Sequence, residues 1–259
     1  MAITTKKLGY GGSGEVDGQQ VLITSGSFDK AVTVSYINAL SIPPAVQSRS
    51  RIKHADGIEA YSGSLSFDVT QAALSIFTTS KVLGRYYSFA VGIYDGEDKY
   101  RMSNCRVTSL TLSGSAGGLI SCSLSFVAAS EHSGGSVLSA FIRDTNPPLG
   151  YWWSGATDVR DWTFTMNQDA QPVYSNENVT EPKYIKVGLV DYSLQVTTYE
   201  QVHQYAAITV ATKAFSITGN TVAEGYTFNG PTDLGMYSHS FESAASAGAG
   251  SGDTVITVA

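Results

Sequence analysis

Tyr100–Phe126 reads YRMSNCRVTSLTLSGSAGGLISCSLSF, two runs in which apolar and small polar residues alternate. The first is Cys105–Leu112 and the second Leu119–Val127. In the second, Ile120, Cys122, Leu124 and Phe126 fall on one side, and Ser121, Ser123 and Ser125 on the other. A period of two is that of a strand with one face in a core. Between the runs, Ser113–Gly118 (SGSAGG) is a flexible turn whose glycines can take positive φ. The stretch therefore reads as one long antiparallel hairpin. Its second face, serine and threonine, is a wetted surface or a protein contact rather than a second core.

Cys105 and Cys122 sit on opposite arms, and the pairings available to the arms hold them beyond disulfide reach. Both read as reduced, small hydrophobes, as in a protein assembled in a cytoplasm.

The order of these features, S-x-C-x-V-x-S-L-T-L-S-G, then Gly-Gly, then L-I-S-C-S-L-S-F, resembles the closing hairpin of the tail tube proteins of long-tailed bacteriophages. The resemblance implies a structural virion protein. Its rings stack into the channel that carries DNA out of the capsid, and each tube domain adds strands to a continuous β-barrel around the bore. It also implies partners: copies of the chain itself, a tape-measure protein that fills the bore beforehand, tail terminator and tail-tip or baseplate proteins, and DNA in transit without specific binding. The location implied is the virion tail, after assembly in the cytoplasm of a bacterial host. A tail-tip or neck adaptor of the same fold is the neighbouring reading. A β-sandwich module binding a receptor or glycan is a reading of another class.

The whole composition agrees with a β protein. The 259 residues allow one large or two medium domains, and 42% are hydrophobic while only 15% are charged. Abundant Gly, Ser and Thr with scarce Pro point to strands and turns rather than disorder. Formal net charge is −6, and it is uneven. Residues 1–145 carry 12 Lys and Arg against 11 Asp and Glu, and residues 146–259 carry 4 against 11. A protein that grips phosphate needs a basic surface, and this chain lacks that balance; an acidic wall would repel DNA and let it slide. The N-terminus has no apolar stretch of signal-peptide type, and no run approaches membrane-spanning length.

In chain order, residues 1–20 are Gly-rich and read as an arm. Strands are expected at Gln20–Thr24 and Ala31–Ile37. The segment from Ser41 to His54 holds Pro43-Pro44 and the densest positive charge, Arg49, Arg51 and Lys53. Its prolines argue for a loop. The resemblance makes that loop the inter-ring contact. Further strands are expected at Gly57–Val69 and Tyr86–Tyr94, with a short helix at 70–77 capped by Asp68 or Thr70.

The second half repeats this logic. Asp161–Asn167 echoes Leu22–Asp29, Val190–Thr197 echoes Gly63–Thr70, and Gly235–Ala245 echoes Ile120–Ser130. A second short helix is expected at Tyr199–Ala206. The expected fold is mainly β: two tandem β-sandwich or tube-type domains, each with one short flanking helix, assembling into a ring-shaped barrel. The boundaries are an N-terminal arm at 1–20, tube domain 1 at 21–130, a linker at 131–150, tube domain 2 at 151–245 and a C-terminal arm at 246–259. Two such domains per chain would let a trimer form the ring that a single-domain relative forms as a hexamer. The lumen face would be Ser121, Ser123 and Ser125. The C-terminal arm ends in Thr254–Val258, where Val255, Ile256 and Val258 suit addition to a neighbour's sheet edge or folding back.

No constellation for catalysis, cofactor or metal emerges. Gly9–Gly14 formally matches G-x-G-x-x-G, but no strand precedes it and no helix follows. His54, Asp56 and Glu59 have no defensible ligand spacing, and Asp95, Glu97 and Asp98 read as a hairpin turn. His132, His203 and His239 are isolated. Asn178-Val179-Thr180 matches a glycosylation acceptor, which means nothing without secretion. Tyr151, Trp152, Trp153 and Trp162 could stack on sugars, and core packing is the plainer reading.

Overall fold

The computed structural model describes residues 13–33, 35–37, 52–55, 57–70, 73, 76, 89–94, 99–132, 148–151, 159–175, 180–199, 207–211, 215–220, 223–227, 236–244 and 255–258. Almost all of these are strand. In order they are β1 (Ser13–Val16), β2 (Gln19–Val32), β3 (Ser35–Ile37), β4 (Ile52–Ala55), β5 (Glu59–Asp68), β6 (Phe89–Tyr94), β7 (Lys99–Ser115) and β8 (Ser121–Ala128). Then come β9 (Ser130–His132), β10 (Val159–Val173), β11 (Tyr184–Thr198), β12 (Ala207–Ala211), β13 (Phe215–Asn220), β14 (Ala223–Thr227), β15 (Met236–Ala244) and β16 (Val255–Val258).

The hairpin read from Tyr100–Phe126 is β7 and β8, with Leu112 opposite Cys122 and Ser113 opposite Ser121. Gly117 takes φ +82° in the turn, the left-handed conformation that glycine adopts without strain. Leu110, Leu112, Cys122, Leu124 and Phe126 are buried, as the alternation requires. The hairpin has two different surroundings along its length. The first part of β7 pairs with β6, Phe89 opposite Cys105 and Tyr94 opposite Lys99. Its last part pairs instead with β10, from Ser109 opposite Asn167 to Ser115 opposite Asp161. On its other edge β7 pairs with β9 and β8.

Two structures result. Strands β1, β2, β5, β8, β7 and β6 close into a six-stranded antiparallel barrel. From β7 the sheet also continues outward through β10, β11, β15 and β14. Barrel and extension share one apolar cluster, from Val16, Leu65 and Phe126 to Trp162, Phe164 and Leu194. Inside the barrel the Phe126 ring meets Phe28 edge-on at 5.7 Å and Phe89 at 6.2 Å, a favoured aromatic geometry. At the junction Trp162 lies opposite Gly114, where a Cβ would come within 2.7 Å of the indole. Only glycine leaves room for that ring. Tyr151 meets Trp162 edge-on at 6.0 Å and donates its hydroxyl hydrogen to the Val159 carbonyl at 3.0 Å. Both aromatics are buried, so they are core residues, as the plainer reading held. Trp152 and Trp153 lie outside the described residues.

Four differences from the sequence reading have local causes. The Gly-rich arm gives its end to the barrel: Ser13–Val16 is a wall strand between β2 and β6. It is too short and small to carry a period-two signal. Lys53 and His54, read as loop, lie in β4, which pairs with β3 and prolongs the β2–β5 hairpin. The prolines fall outside these strands, so the loop argument did not apply to them. Of the short helix expected at 70–77, the described residues Ala73 and Ile76 have 3-10 geometry. Thr70 caps there as foreseen, accepting from Ala73 N–H through its carbonyl at 3.1 Å and its Oγ1 at 3.3 Å. Of the second helix, Tyr199 alone is described, and it is not helical. Finally, the end of the expected linker is stitched into the fold. Leu149 N–H donates to Val69 O, and Ile120 N–H donates to Leu149 O.

Both cysteines are free and buried. Burial pushes the Cys105 thiol up to about 12 and raises that of Cys122. Glu15 of β1, itself buried, faces the half-buried Arg101 of β7 across Gly92, with Nε 3.4 Å from Oε1. Burial raises the Glu15 carboxyl above its ordinary range, and the Arg101 charge opposes this. A raised folded-state value means that the protonated form favours folding. That contribution is present below the ordinary carboxylate range and lost as pH climbs through the raised value. Glu15→Gln removes the loss. Urea denaturation across pH 4 to 8 should therefore show the stability of Glu15→Gln, relative to the parent, improving as pH rises.

Candidate functional site

The outer face of the wide sheet is the most unusual surface among the described residues. Register partners in antiparallel strands point to the same side, so the pairing lets the face be read across strands. One row runs Ser25, Ser66, Ser123, Thr111, Thr165, Ser193, from β2 to β11. The next runs Ser27, Ser64, Ser125, Ser109, Asn167, Asp191. On the other side of the first, Asp68, Ser121, Ser113, Thr163, Gln195 and Ser240 form a third row, from β5 to β15. These rows contain hydroxyls, amides and carboxylates, with no lysine or arginine.

The reverse face explains why the rows hold. Leu110, Leu112, Leu124, Phe164, Met166, Leu194 and Val196 are all buried, and each strand alternates strictly between them and the polar set. A slip by one residue would put a hydroxyl in the core and a leucine in water. Hydroxyls also pair across strands: Ser27 with Ser64 at 3.0 Å, Ser113 with Ser121 at 2.9 Å, and Ser66 with Ser123 at 3.4 Å. Such pairs satisfy some donors laterally, so the face presents short, neutral, weakly reaching groups. At its margin stands Arg106, in register with Val127; burial lowers its pKa.

Over β10, β11 and β15 the face dips into an open depression of about 330 Å³ lined by Asp161, Thr163, Gln195, Thr197, Ser238 and Ser240 among others. Behind it His239 is buried, its Nε2 3.0 Å from Thr198 Oγ1, so it is a core histidine. Among the described residues no cluster of His, Cys, Asp and Glu could hold a metal ion.

The three lumen candidates lie on this face: Ser121 and Ser123 are exposed and Ser125 is half-buried. The sequence missed the other strands of the same rows, because lateral register is not a local property. The signal was present in Ser62-Gly63-Ser64-Leu65-Ser66 and in Thr163-Phe164-Thr165. Of the inter-ring candidates, Lys53 lies in β4 in register with Tyr36, while Arg49 and Arg51 fall outside the described residues. Val255, Ile256 and Val258 are in β16, in register with Thr218, Ile217 and Phe215 of β13. The terminal strand is thus paired within its own chain, completing a three-stranded sheet with β12.

A family model described as phage tail tube protein matches residues 37–259. The chain belongs to the phage tail tube protein family. No curated protein matches it. This family is structural, a component of the virion tail that self-assembles into a tube. The two faces should respond differently to substitution. Ser121→Ala and Ser123→Ala should each change unfolding free energy by less than about 0.5 kcal/mol, and Leu124→Ala should cost about 2–5 kcal/mol, as measured by urea titration.

Proposed function

We propose that copies of this tail tube protein close into rings with the hydroxyl face lining the bore, and that the rings stack into the channel for DNA ejection. The observation that carries the reading is the unbroken polar face: it spans at least six strands without a cationic side chain in its three rows. A wall that passes a polyanion must not bind it, and tight, salt-dependent phosphate contacts come from Lys and Arg. Serine and threonine stay hydrated, and Asp68 and Asp191 add weak repulsion.

The size suits a trimer. The wide sheet from β2 to β14 has eight strands. Three copies supply about 24 strands, each about 4.8 Å from the next and tilted by about 40°, closing a wall roughly 50 Å across. That leaves room for a duplex, or for a tape-measure protein before it. The halves of the sheet, β2-β5-β8-β7 and β10-β11-β15-β14, support reading the chain as two tandem tube domains. The hairpin prolonged by β3 and β4 leads to Arg49 and Arg51, which with Lys53 would contact the acidic side of the next ring. Tail terminator and tail-tip proteins would meet the ends of the stack, and assembly would take place in the cytoplasm of a bacterial host.

Purified protein should form rings or tubes in negative-stain images. Combining Arg49→Glu, Arg51→Glu and Lys53→Glu should leave rings but abolish stacking; stacking that continues would remove the loop from the contact. A separate set, Ser66→Lys, Ser123→Lys and Thr165→Lys, tests the bore. Tubes should still form, and duplex DNA should be retained in a salt-dependent way in filter binding, where parent tubes retain none at 150 mM salt.

A further inference from the structure

The hairpin that leads to Arg49, Arg51 and Lys53 stands on a narrow base. The β2–β5 ladder ends at Val32 opposite Glu59, with one more bond from Thr33 N–H to Ile58 O at 2.9 Å. The β3–β4 ladder resumes at Ser35 opposite Ala55, with a register shift before its next pair. Between them Gly57 is pressed on the Thr33 carbonyl, where a Cβ would overlap the oxygen. Two ladders therefore meet at a break. A two-stranded ribbon whose strands are three and four residues long is not stable by itself. Its direction depends on what holds the last rung below the break.

That rung is held by the other half of the chain. Ile58 turns its carbonyl to β2, so Glu59 turns its N–H and C=O to the opposite edge of β5. On that edge the β8 ladder ends with Ala128, opposite Tyr61. The next place is taken by Tyr174 and Thr180, at the tip of the β10–β11 hairpin. Glu59 N–H donates to Thr180 O at 2.7 Å, and Tyr174 donates its hydroxyl hydrogen to Glu59 O at 2.9 Å. Lys183 N–H donates to Val173 O at 2.8 Å and closes the tip. The Glu59 carboxylate ties the remaining neighbours. It accepts from the Tyr61 hydroxyl and lies 3.1 Å from Lys30 Nζ of β2, which is in turn 3.7 Å from Glu131 of β9. The strands β2, β5 and β9 and the tip of β10–β11 thus converge on Glu59 and its lysine.

We infer that the tip of β10–β11 is a brace: acting through Glu59, Tyr174 and Thr180 set the direction in which the β3–β4 hairpin is presented to the next ring. The inference rests on the stacking contact proposed above and adds the residues that position it. A hairpin fixed beforehand need not be ordered on contact, so stacking loses less conformational freedom. The brace also joins that hairpin to β10 and β11, which carry the polar rows.

Tyr174→Phe removes one hydroxyl from the brace and keeps the ring. On the unassembled chain, hydrogen exchange of the peptide spanning 52–60 should become roughly fivefold faster, the factor for one lost hydrogen bond. Rings should form as in the parent, while the protein concentration needed for stacking rises by a similar factor. Ile120→Val, a comparable loss of stability in the core, should leave exchange at 52–60 and stacking as in the parent, which separates the brace from general weakening. Unchanged exchange at 52–60 in Tyr174→Phe would overturn the brace. Faster exchange with unchanged stacking would overturn its positioning role, and the stacking reading would stand if the Arg49, Arg51 and Lys53 reversals still abolish stacking. Stacking that survives those reversals would remove the loop contact, and this inference with it.

Discussion

One constraint governs this molecule: across at least six strands of the wide sheet, apolar side chains must keep to one face and polar ones to the other. The alternation is set by covalent geometry, with a period of two. Lateral agreement between strands is set by register, and burial of Leu112, Phe164 and Leu194 enforces it, because a one-residue slip would exchange the faces. Bulges are tolerated where they re-aim the strand without inverting it. The irregularity between Val107 and Ser109 lies where β7 leaves β6 and joins β10, and that between Gln168 and Ala170 lies where β10 outruns β7. At both points the sheet changes neighbours, and an extra residue adds twist.

The strand β7 carries the architecture. Its seventeen residues belong first to the closed barrel and then to the open extension. The barrel removes most edges of the N-terminal half, and the extension keeps the edges that remain far apart. This division lets one chain hold a closed barrel and an extended sheet together. The barrel interior, with its phenylalanine cluster, anchors a sheet whose outer face contributes almost no apolar burial.

The hairpin at Tyr100–Phe126 was legible because its signal is local: alternation, then glycines, then alternation. The buried set on β8 follows from that pattern, and so does the tail tube resemblance, while Thr70 as a cap was a separate local signal ahead of the short turn at 70–77. What stayed hidden is non-local. No property of Ser66 or Thr165 alone places them in one row with Ser123; their pairing depends on how β5 and β10 dock on the hairpin. Ser13–Val16 was hidden for another reason, since a four-residue strand of small and charged residues has no periodic signature. The Lys53 segment misled because Pro43 and Pro44 were allowed to speak for residues ten positions away. The face was therefore read from one hairpin, Ser121, Ser123 and Ser125, and the structure extends it to its neighbours.

The two thiols bear on how such an assembly lasts. Cys105 and Cys122 are sealed in the apolar interior and held protonated, so neither offers the thiolate that attacks a disulfide. Many identical chains packed side by side would otherwise be an ideal medium for sulfur exchange. Here both thiols lie out of reach of oxidants, and ageing by cross-linking through them is closed off by packing alone.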